Sequence, residues 1–547
     1  EGNLVQLGYG ARQRRIWTAE TDATSAIAES ISRDKDLTKS LLQSCGVPIP
    51  EGSIVENIED AWEAAQDIGL PVVLKPLDGN HGRGVSTDLK TRIDIEAAFQ
   101  LAAVEGSAVI VERFVAGNEH RLLVVGGRVV AAARGETASV TGDGKSSITQ
   151  LIDDQINTDP RRGTTEDHPL NLVLVHEDPA VLLELTRQGF SPDAVPLAGT
   201  TVLIQRNGNV AFDVTDLVHP DVAAAATLAA RIIGLDIAGV DLVAADISRP
   251  LAEQGGAIVE VNAGPGLLMH LKPADGPARP IGQAIIEHLF PEAKNKNSTV
   301  CGRIPLVGVT GSRGKTMVAR LIARLLHLHG AYVGLACSDG LYLREKPVAS
   351  NDCAHWQAAH RILLNRSVDA AVFENGWRTI LKEGLAYDRC QVGVVTNISP
   401  QDSVPELHIS DAEQLVNVAR TQVDLVLPEG VAVLNGADPL VAEMAALCDG
   451  SVIFFSSSWE IPVISEHRAK GGRCVFVDNN HVVRATGMNQ TALLDLGTIS
   501  FSDPAHRLFI TQNIQAAVAA AWALGIADDL IRAGIQTFDF DNKNVAR

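Results

Sequence analysis

Lys75 ends a short apolar run, Val72-Val-Leu-Lys75, that leads directly into Pro76-Leu-Asp-Gly-Asn-His-Gly-Arg-Gly84. Glycines at 79, 82 and 84 let backbone N–H groups approach a phosphate closely, and the lysine adds fixed positive charge. A second apolar run, Ile258-Val-Glu-Val-Asn262, carries Glu260 and Asn262 at alternate positions, so both point to one face. Asp241 lies ahead of them, and the three supply hard oxygen ligands suited to Mg²⁺ bridging the phosphates of ATP. Two polar groups on one face of an apolar strand are costly unless something binds them, and either Mg²⁺ or a buried hydrogen-bond network answers that cost. In this order the segments suggest activation of a carboxylate by ATP.

Other residues extend the set. Glu119-His-Arg121 enters a strand after a turn at Gly117. The guanidinium of Arg121 matches a transferring phosphoryl group with two N–H bonds. His120 reads as a packed or surface histidine rather than a base. In Asp34-Lys-Asp-Leu-Thr-Lys39, Lys35 or Lys39 either adds charge near the nucleotide or belongs to a solvated helix face. Glu112 either accepts from an adenine or ribose group or sits as an edge carboxylate in solvent. A second phosphate loop, Gly308-Val-Thr-Gly-Ser-Arg-Gly-Lys-Thr316, stands between a strand and a helix. Gly311, Gly314, Lys315 and Thr316 are its expected phosphate and Mg²⁺ contacts.

The elements that must position these groups divide into two grammars. Residues 21 to 45 carry a helical pattern with Ile27, Ile31, Leu37, Leu41 and Leu42 spaced for one buried face. Strand-like runs follow at 71–75, 108–112, 121–125 and 128–133, the last two joined by a tight Gly126-Gly127 turn. Residues 141–170 are polar and read as a mobile excursion over the site. Helix 221–233 then leads to strands 239–245 and 256–262. The polar stretch from Pro291 to Arg303 is the best domain boundary. Past it, strands at 304–310, 331–336, 368–373, 391–396 and 431–434 alternate with helices, which predicts a doubly wound, mostly parallel α/β domain. The expected fold class is therefore α/β and α+β, multidomain, with domains at 1–295 and 296–547.

The 547 residues leave room for three or four folding units at about 150 residues each. Hydrophobic residues at 46% give ample core, and aromatics at only 4% leave that core to Val, Leu, Ile and Ala. A formal net charge of -20 opposes nucleic-acid binding. Seven scattered cysteines without metal-like spacing read as reduced, mostly buried thiols of a cytoplasmic protein. No run is long and apolar enough for a membrane span.

The segments Glu1 to Gly10, Asp34 to Lys39, Val73 to Gly84, Glu119 to Gly127, Asp213-Val-Thr-Asp-Leu-Val-His-Pro220 and Ile258 to Gly266 resemble the cyanophycin synthetase family over nearly all of the chain. Its members make a polymer with a poly-aspartate backbone and arginine on each side chain. They carry an N-terminal domain, an ATP-grasp domain and a Mur-ligase-like domain, and the resemblance implies that this chain lacks the first. By motif match Lys75 contacts ATP phosphates, Glu112 lies in the adenine hinge and Arg121 faces the reacting phosphate. Asp241, Glu260 and Asn262 then hold Mg²⁺.

Some positions depart from the family. Its Ser-Thr-Gly-Gly loop is missing between Asn209 and Val210, and Met317 stands where a second threonine is usual. Glu374 matches a Mg²⁺-binding glutamate, and Thr396-Asn-Ile398 matches a family segment. The Asp-His-Leu-Gly after that segment has become Gln401-Asp-Ser-Val404. Gln512 replaces a histidine and Ala516 an asparagine. The Mur C-terminal domain is expected to be absent. These departures favour the short type, which polymerises β-aspartyl-arginine dipeptides onto a cyanophycin primer in the ATP-grasp site. The Mur-like domain would then be structural, an oligomer contact or a platform for polymer, within a homo-oligomer. The rivals are a two-site enzyme adding aspartate and then arginine, and a degenerate nucleotide-binding scaffold.

Overall fold

The computed structural model describes residues 2–77, 84–165, 168, 170–291, 302–399, 401–499 and 506–540. It contains two compact units, residues 1–6 with 14–295, and residues 7–13 with 296–547. Residues 7–13, which the sequence reading placed in the first domain, thus pack with the second. There Tyr9 N–H donates to Gly302 O at 2.9 Å and Ala11 N–H to Val368 O at 2.7 Å. The buried Gln13 amide reaches Leu364 O at 3.1 Å.

Among the described residues three cores build the first unit. The first joins a four-stranded antiparallel sheet, ordered Gly52–Val55, Val109–Arg113, Val72–Pro76 and Ser86–Leu89, to helices Ile58–Ile68 and Arg92–Glu105. Val72, Leu74, Val109 and Val111 face those helices. Strand alternation therefore turns Lys75 and Glu112 to the opposite face, where they lie diagonally across the paired strands. The second core lies under a five-stranded sheet, ordered Thr201–Asp213, Arg128–Thr141, Asn118–Val125, Ile237–Ala244 and Ala257–Asn262. Gly126 and Gly127 close the hairpin between the middle pair at φ +55° and +74°, the left-handed values a two-residue turn needs. The third core lies within the expected polar excursion and just beyond it. Ser147 caps helix Ile148–Gln155 through a capping box, and Ile148, Leu151 and Ile152 bury against Val181 and Leu185.

The helical pattern at 21–45 is two helices rather than one, Ala26–Arg33 and Lys35–Ser44. Asp34 leaves the helical region (ψ 99°), and its carboxylate accepts from Leu37 N–H to start the second helix. The break shifts the helical phase. Ala28, Ser32, Thr38 and Leu42 are buried, whereas Ile27 and Leu37 are exposed, contrary to the single-face expectation.

Among the described residues the second unit is built on an eleven-stranded sheet. Its parallel centre runs Val333–Cys337, Ala370–Glu374, Leu306–Thr310, Cys390–Val395, Val426–Asn435, Ser451–Ser456 and Arg473–Asp478. Helices Lys315–Leu328 and Arg507–Ala523 cover one face, and Trp356–Leu364 and Ala412–Asp424 the other. Antiparallel wings that the sequence reading did not foresee extend both edges. They are Gly340–Leu343 with Lys346–Ala349, and His481–Thr486 with Asn489–Asp495. Among the described residues no helix is long and apolar enough to cross a membrane. The six described cysteines are free, and four of them are buried.

Candidate active site

In the first unit the predicted polar residues gather on the open faces of the two sheets. Glu112, only 2% exposed, accepts at one oxygen, Oε1, from Lys75 Nζ at 2.9 Å and from Lys39 Nζ. Lys35 Nζ lies 3.7 Å from Glu260 Oε1. Burial works against the Lys75 ammonium, but the Glu112 charge outweighs it and holds the group above the usual lysine value. Burial likewise opposes the Glu112 carboxylate, and Lys75 and Lys39 together hold it below its ordinary range. Lys39 has less compensation. Burial first, then the neighbouring Lys75, pushes it down to about 8.

On the five-stranded sheet Asp241 pairs across to Arg121 on one neighbour and to Glu260 on the other. Arg121 grips both oxygens of Asp241, Nη2 to Oδ2 at 2.7 Å, and the Asn262 amide donates to Oδ2 at 3.1 Å. Burial pushes the Asp241 carboxyl up and Arg121 opposes that shift. Among the described residues no group of three or more His, Cys, Asp or Glu side chains is placed to hold a metal. A Mg²⁺ ion here would need Asp241, Glu260 and the amide oxygen of Asn262 as donors. All three are hard oxygen groups on one face of adjacent strands, so the set fits such an ion.

The other predicted residues fall as follows. Gly82 lies outside the described residues. Gly84 ends its loop at φ +70°, just before strand Ser86–Leu89. His120 is buried, and that burial pushes its pKa down to about 4, leaving it a neutral packed histidine. The motif Asp213 to Pro220 has a structural use. Arg279 clasps Asp213, with Nε to Oδ1 at 3.0 Å, and Asp216, with Nη2 to Oδ2 at 2.8 Å. His219 Nδ1 accepts from Asp221 N–H and caps helix Pro220–Ile233. Of the two alternatives the sequence leaves for Lys35 and Lys39, charge beside the site or a solvated helix face, the second does not hold, since both are nearly buried against Glu260 and Glu112. The spacing of four between Lys35 and Lys39, one helical turn, was the available signal.

The second unit forms its phosphate loop between strand Leu306–Thr310 and helix Lys315–Leu328. Gly314 caps that helix at φ +85°, and a Cβ there would meet Asn513 Oδ1 at 2.2 Å. Thr396 Oγ1 donates to Arg313 O at 2.7 Å, and Arg313 N–H donates to Asn397 Oδ1 at 3.1 Å. Lys315 Nζ donates to Ser312 O at 3.3 Å, and burial lowers its pKa. Both oxygens of Glu374 accept from Ser338, from N–H and Oγ at 2.8 Å each. Thr316 is buried in the first turn of the helix.

Residues 309–486 match the family model of the Mur ligase middle domain, and residues 34–147 match that of the carbamoyl-phosphate synthase L chain, ATP binding domain. The chain is 37% identical over 541 residues to a cyanophycin synthetase of Nostoc sp., covering 98% of this chain and 59% of that one. With a cyanophycin synthetase of Synechocystis sp. the identity is 38% over 543 residues, covering 98% of this chain and 61% of that one. These proteins are homologues of the chain. Their own lengths are greater, and the chain spans 59% to 61% of them. Over 53% of its length the chain is also 31% identical to 38% of a glutathione biosynthesis bifunctional protein of Clostridium perfringens. The first unit accordingly has an ATP-grasp fold, and the second the fold of a Mur ligase middle domain.

Proposed function

We propose that the chain is an ADP-forming carboxylate–amine ligase of cyanophycin synthesis, polymerising β-aspartyl-arginine dipeptides in its first unit. The observation that carries this reading is the convergence of Lys35, Lys39 and Lys75 with Glu112, beside Arg121, Asp241, Glu260 and Asn262. Similarity to cyanophycin synthetases over 98% of the chain supports it.

ATP with Mg²⁺ would supply the phosphoryl group that makes a terminal carboxylate reactive. Lys35 and Lys75 would neutralise the nucleotide phosphates, and Asp241, Glu260 and Asn262 would hold the ion. Arg121, with a fork of N–H groups, would steady the reacting phosphate. The site's work is charge neutralisation and the alignment of an amine with the activated carbonyl. The second unit favours a structural role. Gln512 and Ala516 stand where its family carries a histidine and an asparagine, and Gln401-Asp-Ser-Val404 replaces the family's Asp-His-Leu-Gly.

A second reading, with aspartate added in the first unit and arginine in the second, is favoured by the intact Gly311, Gly314, Lys315 and Thr316 loop. Purified protein given ATP, Mg²⁺ and primer, with either β-Asp-Arg or free aspartate plus arginine, separates the two. Growth from the dipeptide is expected, and growth only from the free amino acids rejects that reading. Glu260→Ala is expected to abolish primer-dependent ADP release, whereas Lys315→Ala lowers it by less than about twofold, since it lies outside the site that reacts. An equal loss in both variants assigns chemistry to the second unit.

A further inference from the structure

Glu112 carries two ammonium groups on one carboxylate oxygen, and one of them is in surplus. The carboxylate is buried, and the Lys39 and Lys75 side chains retain only 12% and 10% exposure. One buried carboxylate needs one counter-charge. The two lysines arrive on different elements. Lys75 lies on strand Val72–Pro76, one residue before its end, whereas Lys39 projects from helix Lys35–Ser44. That helix is fixed by the Asp34 cap and by the Thr38 hydroxyl, which donates to Ile31 O at 2.6 Å. If Lys75 alone balanced Glu112, turning its ammonium to a phosphate would leave a buried carboxylate unpaired, a costly state that would weaken nucleotide binding. Lys35 has a carboxylate of its own, Glu260.

We propose that Lys39 is the positioning residue that stays with Glu112 when Lys75 turns to a nucleotide phosphate, so that Lys39 sets nucleotide affinity without touching the reacting atoms. The proposal rests on the reading of the first unit as the nucleotide site. Lys39 acts through Lys75, and its signature is therefore a change in affinity rather than in the chemical step.

The test uses the full chain, with primer, β-Asp-Arg and varied MgATP. Lys39→Met is expected to raise KM for MgATP about tenfold, the scale of a charge-assisted hydrogen bond, with kcat kept within about threefold. Lys39→Arg keeps the charge and returns KM to within about threefold of the parent. A readout without turnover is equilibrium dialysis with MgADP, counting the binding that Lys75→Met removes. Lys39→Met should weaken that same portion. Thermal melts confirm folding, and Lys39→Gln, which keeps a donor but no charge, should repeat the affinity loss if the Met variant fails to fold. An unchanged KM in folded Lys39→Met, a fall in kcat at constant KM, or no rescue by a folded Arg variant overturns the proposal while the site reading stands. Wild-type KM and undiminished MgADP binding in Lys75→Met overturn the site reading and this proposal with it.

Discussion

At the scale of single residues, the first unit concentrates buried charge and lets neighbours decide which groups stay ionised. Lys39 faces Glu112 and Lys75 from the four-stranded sheet, with Lys35 one turn away on its own helix and Glu260 opposite Lys35. Its pKa of about 8 makes it the first of these lysines to lose charge as pH rises, while Glu112 holds Lys75 above the usual value. Below that pH the surplus charge is present, and above it Lys75 is left as the counter-ion of Glu112. KM for MgATP is therefore expected to stay level up to about pH 8 and to rise beyond it, and Lys39→Arg should remove the rise. A profile that is flat to pH 9.5 in the parent chain would contradict this. The loss would not be unfolding. The unfolded chain binds the extra proton between about 8 and the ordinary lysine value of 10.5, so this group's contribution to stability grows with pH across that window.

At the scale of elements, the helix bearing Lys35 and Lys39 depends on its cap. Asp34→Ala removes the acceptor for Leu37 N–H and is expected to cost about 1 kcal/mol, read by denaturant unfolding, with a raised KM for MgATP. Wild-type KM in that variant would mean that the helix start does not set the lysines. The cap also marks where the sequence was harder to read. Hydrophobic spacing suggested one helix across 21–45, because a capping aspartate looks like any polar residue until its backbone leaves the helix. Strand alternation was legible, since burial on one side forces Lys75, Glu112, Glu260 and Asn262 to the other. The antiparallel wings of the second unit were not, because Gly340–Leu343 has only four residues and Asn489–Asp495 begins with four exposed ones, so neither carries a periodic signal. The shared oxygen of Glu112 was also out of reach, because it joins residues from separate elements.

At the scale of the whole molecule, the chain's order along the sequence differs from its order in space, because residues 7–13 belong to the second unit. A fragment spanning 302–547 lacks the Gln13 amide that reaches Leu364 O and the Tyr9 hydroxyl that donates to Asp388 at 3.1 Å. Adding a peptide of residues 7–13 is expected to raise the fragment's melting temperature, with each restored bond contributing about 1 kcal/mol. No shift on titrating the peptide would show that the segment is dispensable. The strand Ala257–Asn262 sets a sharper limit on how such a chain can change. Its pairing with Ile237–Ala244 slips by one residue beside Asp241, so that Ile258 and Val261 both reach the core while Glu260 and Asn262 stay on the open side. Removing Val259 would restore an even ladder with Ile258 still in the core and Glu260 still on the open side, whereas removing or adding a residue elsewhere between Ile258 and Asn262 would turn a core or an open side chain to the wrong face. Conservative substitutions are tolerable at Ile258, Val259 and Val261, but a register slip that turns Glu260 or Asn262 to the core side is not. A library of one-residue deletions and insertions should therefore lose its active members there apart from the deletion of Val259, while the same lesions in the exposed turn at Asn479-Asn480 survive.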